Sequence, residues 1–309
     1  MKLSQFRNFI AVVEAGTFRQ AAKKLNLSQS SISKSIQQLE DDLGTPMLHR
    51  GIHGVVPTDA GKALLAHAKA IEAELRHARS DVQMVQGAQI GEIRLSASPS
   101  VAIGLLPRAI VAFQRTHPKV SFRISEGVYP DILPGLRSGD IDLAICLVPA
   151  RSRDPQLNYM SLVKDQLVPA VRKNHPLMNG KRLKLGDLLD LNWVIYGRGH
   201  TGLDVFEQTF ASNHFDMPKG TIECTSIASA IALVENGDYI TLVPSQIFMT
   251  SLTPPSIVQL PLDTPMQPWQ VAIISRATHE MSAVCSAFLD EIQRMAVEIG
   301  LPRTGTQTG

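Results

Sequence analysis

Between Ser28 and Arg50 the chain groups polar side chains that can bind without reacting: Gln29, Ser30, Ser31, Ser33, Lys34 and Gln37. Amides and hydroxyls at helical spacing match the donors and acceptors that base edges show in a DNA major groove, and a lysine adds attraction to phosphate. Arg50, flanked by His49 and His53 in a glycine-containing stretch, adds a cation suited to backbone or minor-groove contact. This is recognition chemistry. The spacings of covalent chemistry are missing: no G-x-S-x-G, H-E-x-x-H or phosphate-loop pattern occurs, and no acid/base pair stands at a catalytic spacing. We therefore expect no enzyme, no cofactor and no metal site. Cys146, Cys224 and Cys285 are far apart and odd in number, which suits a reducing cytosol and offers neither a disulfide framework nor zinc spacing. Cys224 follows an apolar strand and reads as a small hydrophobe rather than a redox sensor. His49 and His53 have no nearby cysteine or carboxylate to complete a metal pair.

The elements that would position the polar cluster are legible around it. Leu3, Phe6, Ile10 and Val13 repeat at spacings of three, four and three and predict a first amphipathic helix ending near Gly16. Thr17 caps a second helix containing Ala21, Ala22 and Leu25, whose small alanines allow close helix approach. Asn26-Leu27 makes the turn and Ser28 caps a third helix, with Ile32, Ile36, Leu39 and Leu43 inward and the polar cluster outward. The acidic run Glu40-Asp41-Asp42 is expected at the far end, away from phosphates. Gly44, Gly51, Gly54 and Pro57 suit a hairpin wing. Two readings fit such a unit: a winged helix-turn-helix on DNA, or a solvated helix pair that binds protein. Charge favours DNA. Residues 1–58 hold seven Lys/Arg against four Asp/Glu, whereas the net charge of the whole chain is only +2.

After Thr58, a further N-cap, residues 59–86 contain no proline and one glycine. Leu64, Ala68, Ile71, Leu75, Ala78, Val82 and Val85 alternate at spacings of four and three, the pattern of a coiled-coil seam. Two readings fit, a linker helix pairing two copies of the chain or a long helix packed on its own domain; the heptad pattern favours pairing, and Gly87-Ala88-Gln89-Ile90-Gly91 predicts a hinge. From Glu92 onward short apolar strands alternate with helices: IRLSA, VSFRIS, IDLAICLV, LVPAVR, WVIY, TIEC, YITLVP and VAIISR. The rhythm predicts two α/β lobes with largely parallel sheets, the last strand and helix 281–299 returning to the first lobe. IDLAICLV is expected to run into the inter-lobe crossover and put Leu147 and Val148 on the cleft floor. Strand-to-helix junctions commonly hold small anions. They place Ser98 and Ser100, Thr201 and Gly202, and Ser226 at a cleft, with Tyr129 as an aromatic wall and Val148 on the floor. Each such Ser or Thr could equally be a simple cap.

The run from Phe9 to Arg50, including A-G-T-F-R-Q-A-A-K-K-L-N-L-S-Q-S-S-I-S-K-S-I, resembles the N-terminal domain of LysR-type transcriptional regulators, and the resemblance extends over residues 1–300. The family often has Pro-Ala where this chain has Ser30-Ser31. S-A-S-P-S-V-A, E-G-V-Y-P-D-I-L-P-G-L-R-S-G-D-I-D-L-A-I and N-G-D-Y-I-T-L-V-P are similar to a branch that includes regulators of aromatic-sulfonate and aminobenzoyl-glutamate breakdown. That branch shares Tyr239 where many members have a second glycine. The resemblance implies an α/β protein: an N-terminal winged helix-turn-helix, a long linker helix, and a two-lobed, periplasmic-binding-protein-like effector domain. The expected divisions are 1–58 for the DNA-binding domain, 59–89 for linker and hinge, and 90–300 for the effector domain. Lobe I covers about 90–164 and 269–300, lobe II about 165–268, and 301–309 form a tail. It implies as partners double-stranded operator DNA, a small and preferentially anionic effector, a second copy of the chain in a homodimer or homotetramer, and RNA polymerase. Without a secretory start or an apolar run of membrane length, a cytoplasmic location with no membrane contact is expected. The competing class is a solute receptor whose N-terminal unit only dimerises.

Overall fold

A computed structural model describes residues 1–51, 54–86, 90–148, 154–180, 183–196, 201–216, 218, 221–249, 253–263, 269–277 and 281–298. Local capping sets the first three helices. α1 (Leu3–Ala15) stops at Gly16, whose φ of 68° is the left-handed turn that glycine tolerates best. Thr17 Oγ1 accepts the Gln20 N–H to start α2 (Phe18–Leu25), and Asn26 ends it in a left-handed conformation. Ser28 Oγ accepts the Ser31 N–H to start α3 (Gln29–Leu43). Strands β1 (Leu48–Gly51) and β2 (Gly54–Pro57) pair antiparallel as the wing. The Val55 N–H donates to Gly16 O at 2.8 Å and ties this wing to the first turn.

The apolar stripe of α1 is offset from the centre of the core. Phe9 and Val12 are the residues fully buried in the small core, with Ala21, Ile32, Ile36 and Leu39. Leu3 is exposed, and Leu3, Phe6 and Ile10 border a groove shared with the next helix. Ile10 is nevertheless buried, and Phe6 and Val13 pack against the edge of that core, so the stripe flanks the core centre and only Leu3 is left in solvent.

That next helix, α4 (Asp59–Val85), is capped by Thr58 Oγ1, which accepts the Gly61 N–H at 2.9 Å. At 27 residues it reaches about 40 Å. Of its expected seam residues, Ile71, Leu75, Val82 and Val85 are exposed, whereas Ala68 is fully buried and Leu64 packs against the N-terminal core; Ala73, His77 and Ser80 are buried against the following domain. The expected hinge residues Gly87, Ala88 and Gln89 lie outside the described residues, as does the tail 301–309.

The remaining elements build two sheets. In chain order they are β3 (Gly91–Ala97), α5 (Pro99–Ile103), α6 (Leu105–Thr116), β4 (Val120–Glu126), α7 (Leu133–Ser138), β5 (Leu143–Leu147) and β6 (Leu157–Asp165). Then come β7 (Leu167–Arg172), β8 (Asn192–Tyr196), α8 (Thr201–Ser212), β9 (Thr221–Cys224), α9 (Ile227–Asn236), β10 (Tyr239–Pro244), β11 (Ile257–Gln259), β12 (Trp269–Arg276) and α10 (Ala283–Glu298). Lobe I has strand order β4-β3-β5-β12-β6, and lobe II has β11-β7-β10-β8-β9. Each sheet has one reversed strand, β12 in the first and β7 in the second. The lobe I core packs α6 and α10 on one face, with Phe113, Phe122 and Phe288 edge to face. The lobe II core centres on Trp193, Phe206 and Phe210.

The chain crosses between lobes from β6 to β7, so the crossover expected after β5 is corrected: β5 ends inside lobe I, and β6 still pairs with β12 there. Among the described residues no helix is long and apolar enough to cross a membrane.

Candidate functional site

On the N-terminal unit, Ser30, Ser33, Lys34 and Gln37 of α3 border one depression together with Arg50 of the wing. Lys34, Gln37 and Arg50 are exposed. The Arg50 guanidinium lies over the Phe18 ring, 4.9 Å from its centre, which holds the wing cation at the edge of the helix pair. Gln29 and Ser31 are exposed in the first turn of α3 but lie outside the depression. The Ser31 hydroxyl is spent locally, 2.7 Å from Ser28 Oγ, and Ser30 Oγ lies 3.0 Å from the same oxygen. His53 falls outside the described residues.

The acidic run is not remote from this surface. Glu40 and Asp41 border the same depression because the wing folds back over the second half of α3. Glu40 Oε1 accepts the Met47 and Leu48 N–H groups at 2.8 and 3.2 Å, and Oε2 stands 3.8 Å from Arg50. Its charge therefore anchors the wing and is offset by donors that the strand would otherwise leave unpaired.

Between the lobes, Ser98, Pro99, Ser100, Val128, Leu147 and Val271 of lobe I face Leu167, Val194, Ile195, Tyr196, Phe206, Leu242 and Pro244 of lobe II, with Trp269 at the crossing. The cavity they enclose is about 70 Å³. Ligand sites usually offer some 300–1,000 Å³, so a molecule of that size requires the lobes to part. Ser98 and Ser100 are buried, and their hydroxyl oxygens are 3.4 Å apart. Ser98 does not use its hydroxyl to cap α5. Burial, with Glu126 and Cys224 nearby, pushes the Tyr196 phenol up to about 12, so it stays a neutral hydrogen-bonding group.

The other expected cleft residues are placed elsewhere. Tyr129 begins the turn into α7 and is buried on the opposite face of the lobe I sheet among Leu136, Ala144, Cys146 and Ile274, while Val128 reaches the cleft in its place. Val148 packs in that same cluster while Leu147 borders the cavity, the alternation of neighbouring residues across a strand. Ser226 is exposed and caps α9 by accepting the Ser229 N–H at 3.3 Å, the plain structural role. Thr201 and Gly202 open α8, but their side chains lie outside the described set, as do Gly199 and His200. Thus the geometry brings Ser98 and Ser100 together at the cavity and does not bring Tyr129, Val148 or Ser226 to it. Tyr196 and Leu147 end their strands and carry a signal that strand-end reasoning can use. Phe206 and Trp269 have no local signal.

Burial raises the thiols of Cys146, Cys285 and Cys224, and Cys224 Sγ donates to Ser226 O, so the described thiols are not activated. Among the described residues no group of three or more His, Cys, Asp or Glu is arranged to hold a metal ion.

Comparison with known proteins agrees with this arrangement. Residues 3–62 match the family described as a bacterial regulatory helix-turn-helix protein of the lysR family, and residues 86–296 match the LysR substrate binding domain. The chain is 30% identical over 298 residues to the SDS degradation transcriptional activation protein of Pseudomonas sp. (strain ATCC 19151), covering 94% of this chain and 97% of that one. Its fold is similar to full-length OxyR from Pseudomonas aeruginosa, with a TM-score of 0.76, 22% identity and 99% of both chains covered. It is also similar to full-length CbnR complexed with its target DNA, with a TM-score of 0.70, 24% identity, and 96% and 100% covered. The chain therefore belongs to the LysR family of helix-turn-helix regulatory proteins, joining that family's DNA-binding unit to its substrate-binding domain.

Proposed function

We propose that this LysR-type, DNA-binding transcriptional regulator reads its operator with Ser30, Ser33, Lys34 and Gln37 in a major groove and Arg50 on the adjoining backbone. Gln29 and Ser31 sit at the helix start as peripheral contacts. The observation that carries this reading is the convergence of α3 and the wing cation on one depression. Short polar side chains there can read base edges, and the two cations can neutralise phosphates. The exposed seam on α4 supports pairing of two copies, so that two recognition helices address a two-fold site.

The effector site in this reading is the inter-lobe cavity. A small molecule with an apolar body and a single polar or anionic head fits its lining, the head against Ser98 and Ser100 and the body among Tyr196, Phe206 and Trp269. Thr201 and Gly202 belong to the same site as helix-start contacts. Binding shifts regulation only if the ligand favours one lobe arrangement over another. The protein acts in the cytoplasm and by binding, in keeping with a family of transcriptional regulators rather than enzymes.

A gel-shift titration on DNA flanking the protein's own gene tests the reading, repeated with a panel of aromatic carboxylates and sulfonates. Sequence-specific retardation altered by a panel member is expected, with the alteration lost in Ser100→Ala while DNA affinity is kept. Binding without sequence preference would favour the solute-receptor class instead.

A further inference from the structure

The chain crosses between the lobes at a buried carboxylate. Asp165 ends β6, faces Trp269 across the lobe I sheet, and is 3% exposed. Its Oδ1 accepts the Gln166 N–H and the Ser245 hydroxyl, both at 2.8 Å, and its Oδ2 accepts Gln246 Nε2 at 2.9 Å. Ser245 and Gln246 follow β10 and belong to lobe II, so the carboxylate of one lobe is held by donors of the other. Among the described residues no cation lies within ion-pair distance. Lys164, next along β6, alternates outward and is exposed, and β7, β12 and the turn after β10 present Leu167, Trp269, Ser245 and Gln246. Burial raises the carboxyl above its ordinary range, and the three hydrogen bonds only partly oppose this.

A second observation fits the first. Gln246 is 2% exposed, and its Oε1 is buried without a hydrogen-bond partner. That oxygen shares the space beside Gly104 with the Ser100 carbonyl: a Cβ added there would lie 3.0 Å from Ser100 O and 3.5 Å from Gln246 Oε1. The Ser100 carbonyl already accepts the Gly104 N–H at 3.0 Å, so Gln246 Oε1 is the acceptor left unpaired, and a half-turn of the amide would put a donor in its place. After that turn Nε2 lies on the side of the Ser100 carbonyl, and Oε1 faces Asp165, ready to accept from a protonated carboxyl.

We propose that Asp165 and Gln246 are positioning residues of the effector cleft, forming a proton-operated catch at the lobe hinge. Charged, the carboxylate draws Ser245 and the Gln246 amide of lobe II onto the crossing strand. Protonated from solvent, it donates to Gln246 Oε1, and the amide turns its Nε2 toward the backbone of Ser100 at the cleft. The angle between the lobes, and with it the room for a ligand, then follows the state of one proton. This rests on the cleft being the effector site.

Acrylamide quenching of ligand-free protein tests it. Of the two tryptophans, Trp193 is fully buried and Trp269 borders the cleft, so quenching reports the cleft. Between about pH 4 and 8 the wild-type quenching constant should change in one step, centred above the ordinary carboxylate value of about 3.9. Ser245→Ala, which removes a donor to the charged form, should move the step to higher pH. Asp165→Asn should abolish it. A flat wild-type profile, or an unaltered step in Asp165→Asn, overturns the proposal. Should that variant fail to fold by circular dichroism, an unshifted midpoint in Ser245→Ala overturns it alone. No ligand enters the measurement, so its failure leaves the cleft assignment standing, to be judged by the ligand panel.

Discussion

His77 Nε2 on the linker helix lies 2.8 Å from Asp142 Oδ1 at the entry to β5, fastening the linker to lobe I through a carboxylate whose side chain is 2% exposed. Arg76 donates to the same oxygen at 2.6 Å, and the Arg94 N–H to the other at 2.9 Å. Earlier on the same helix Glu74 lies 3.1 Å from Arg276, and Lys69 bridges Glu14 of α1 and Asp140 of lobe I. DNA-binding unit, linker and lobe I are thus joined by one line of charges within a single chain.

Asp142→Asn should destabilise the protein by about 3–5 kcal/mol, because Arg76 and His77 then lose a buried partner. Burial alone would raise the Asp142 carboxyl, but the His77 contact and the Arg76 charge outweigh it and the net shift is downward. A carboxylate lowered in the folded state stabilises above its unfolded value, and that contribution is lost as pH falls through the folded one. Urea denaturation should therefore show a large gap between wild type and variant near neutral pH that closes on acidification. Equal stabilities at neutral pH would refute the role.

Gly61→Ala should cost about 1–3 kcal/mol by overpacking. A Cβ at Gly61 would stand 2.1 Å from Met47 O, the carbonyl that also accepts the Thr58 N–H, so linker and wing must separate. Thermal melting checks this, and an unchanged midpoint would mean that the junction yields without strain.

Lys34→Ala should weaken operator binding and lower the slope of log K against log salt by about 1, the loss of one phosphate contact. Gel shifts at several salt concentrations measure it. Arg50→Ala should behave alike, whereas Gln37→Ala should alter base preference and leave the slope in place.

Leu75→Asp or Val82→Asp puts a charge into the exposed seam of α4 and should weaken self-association at least ~10-fold, about 1.4 kcal/mol. Sedimentation velocity decides it. Both side chains are exposed in the single chain, so monomer folding by circular dichroism should be retained. Unaltered self-association would place the pairing surface elsewhere.

What the sequence by itself determined is what neighbours along the chain control. Thr17, Ser28 and Thr58 start helices because a hydroxyl three residues ahead meets an orphan N–H, and Gly16 and Asn26 stop them because they accept a left-handed turn. The seam on α4 and the order of strands and helices in the two lobes follow from the same short-range periodicity. Tertiary structure alone decided which faces and which strand ends meet. Packing of α1 against Ala21 and Ile32 puts Phe9 and Val12 at the centre of the core, Phe6 and Val13 at its edge and Leu3 in solvent. Where the chain turns into α7, Tyr129 goes to the far side of the sheet and its neighbour Val128 to the cleft. Trp269 comes from far along the chain to close a cavity begun by Ser98, and Ser245 and Gln246 reach back across the lobes to Asp165. Such contacts depend on how two sheets twist and dock, a sum over many distant side chains that no local spacing encodes.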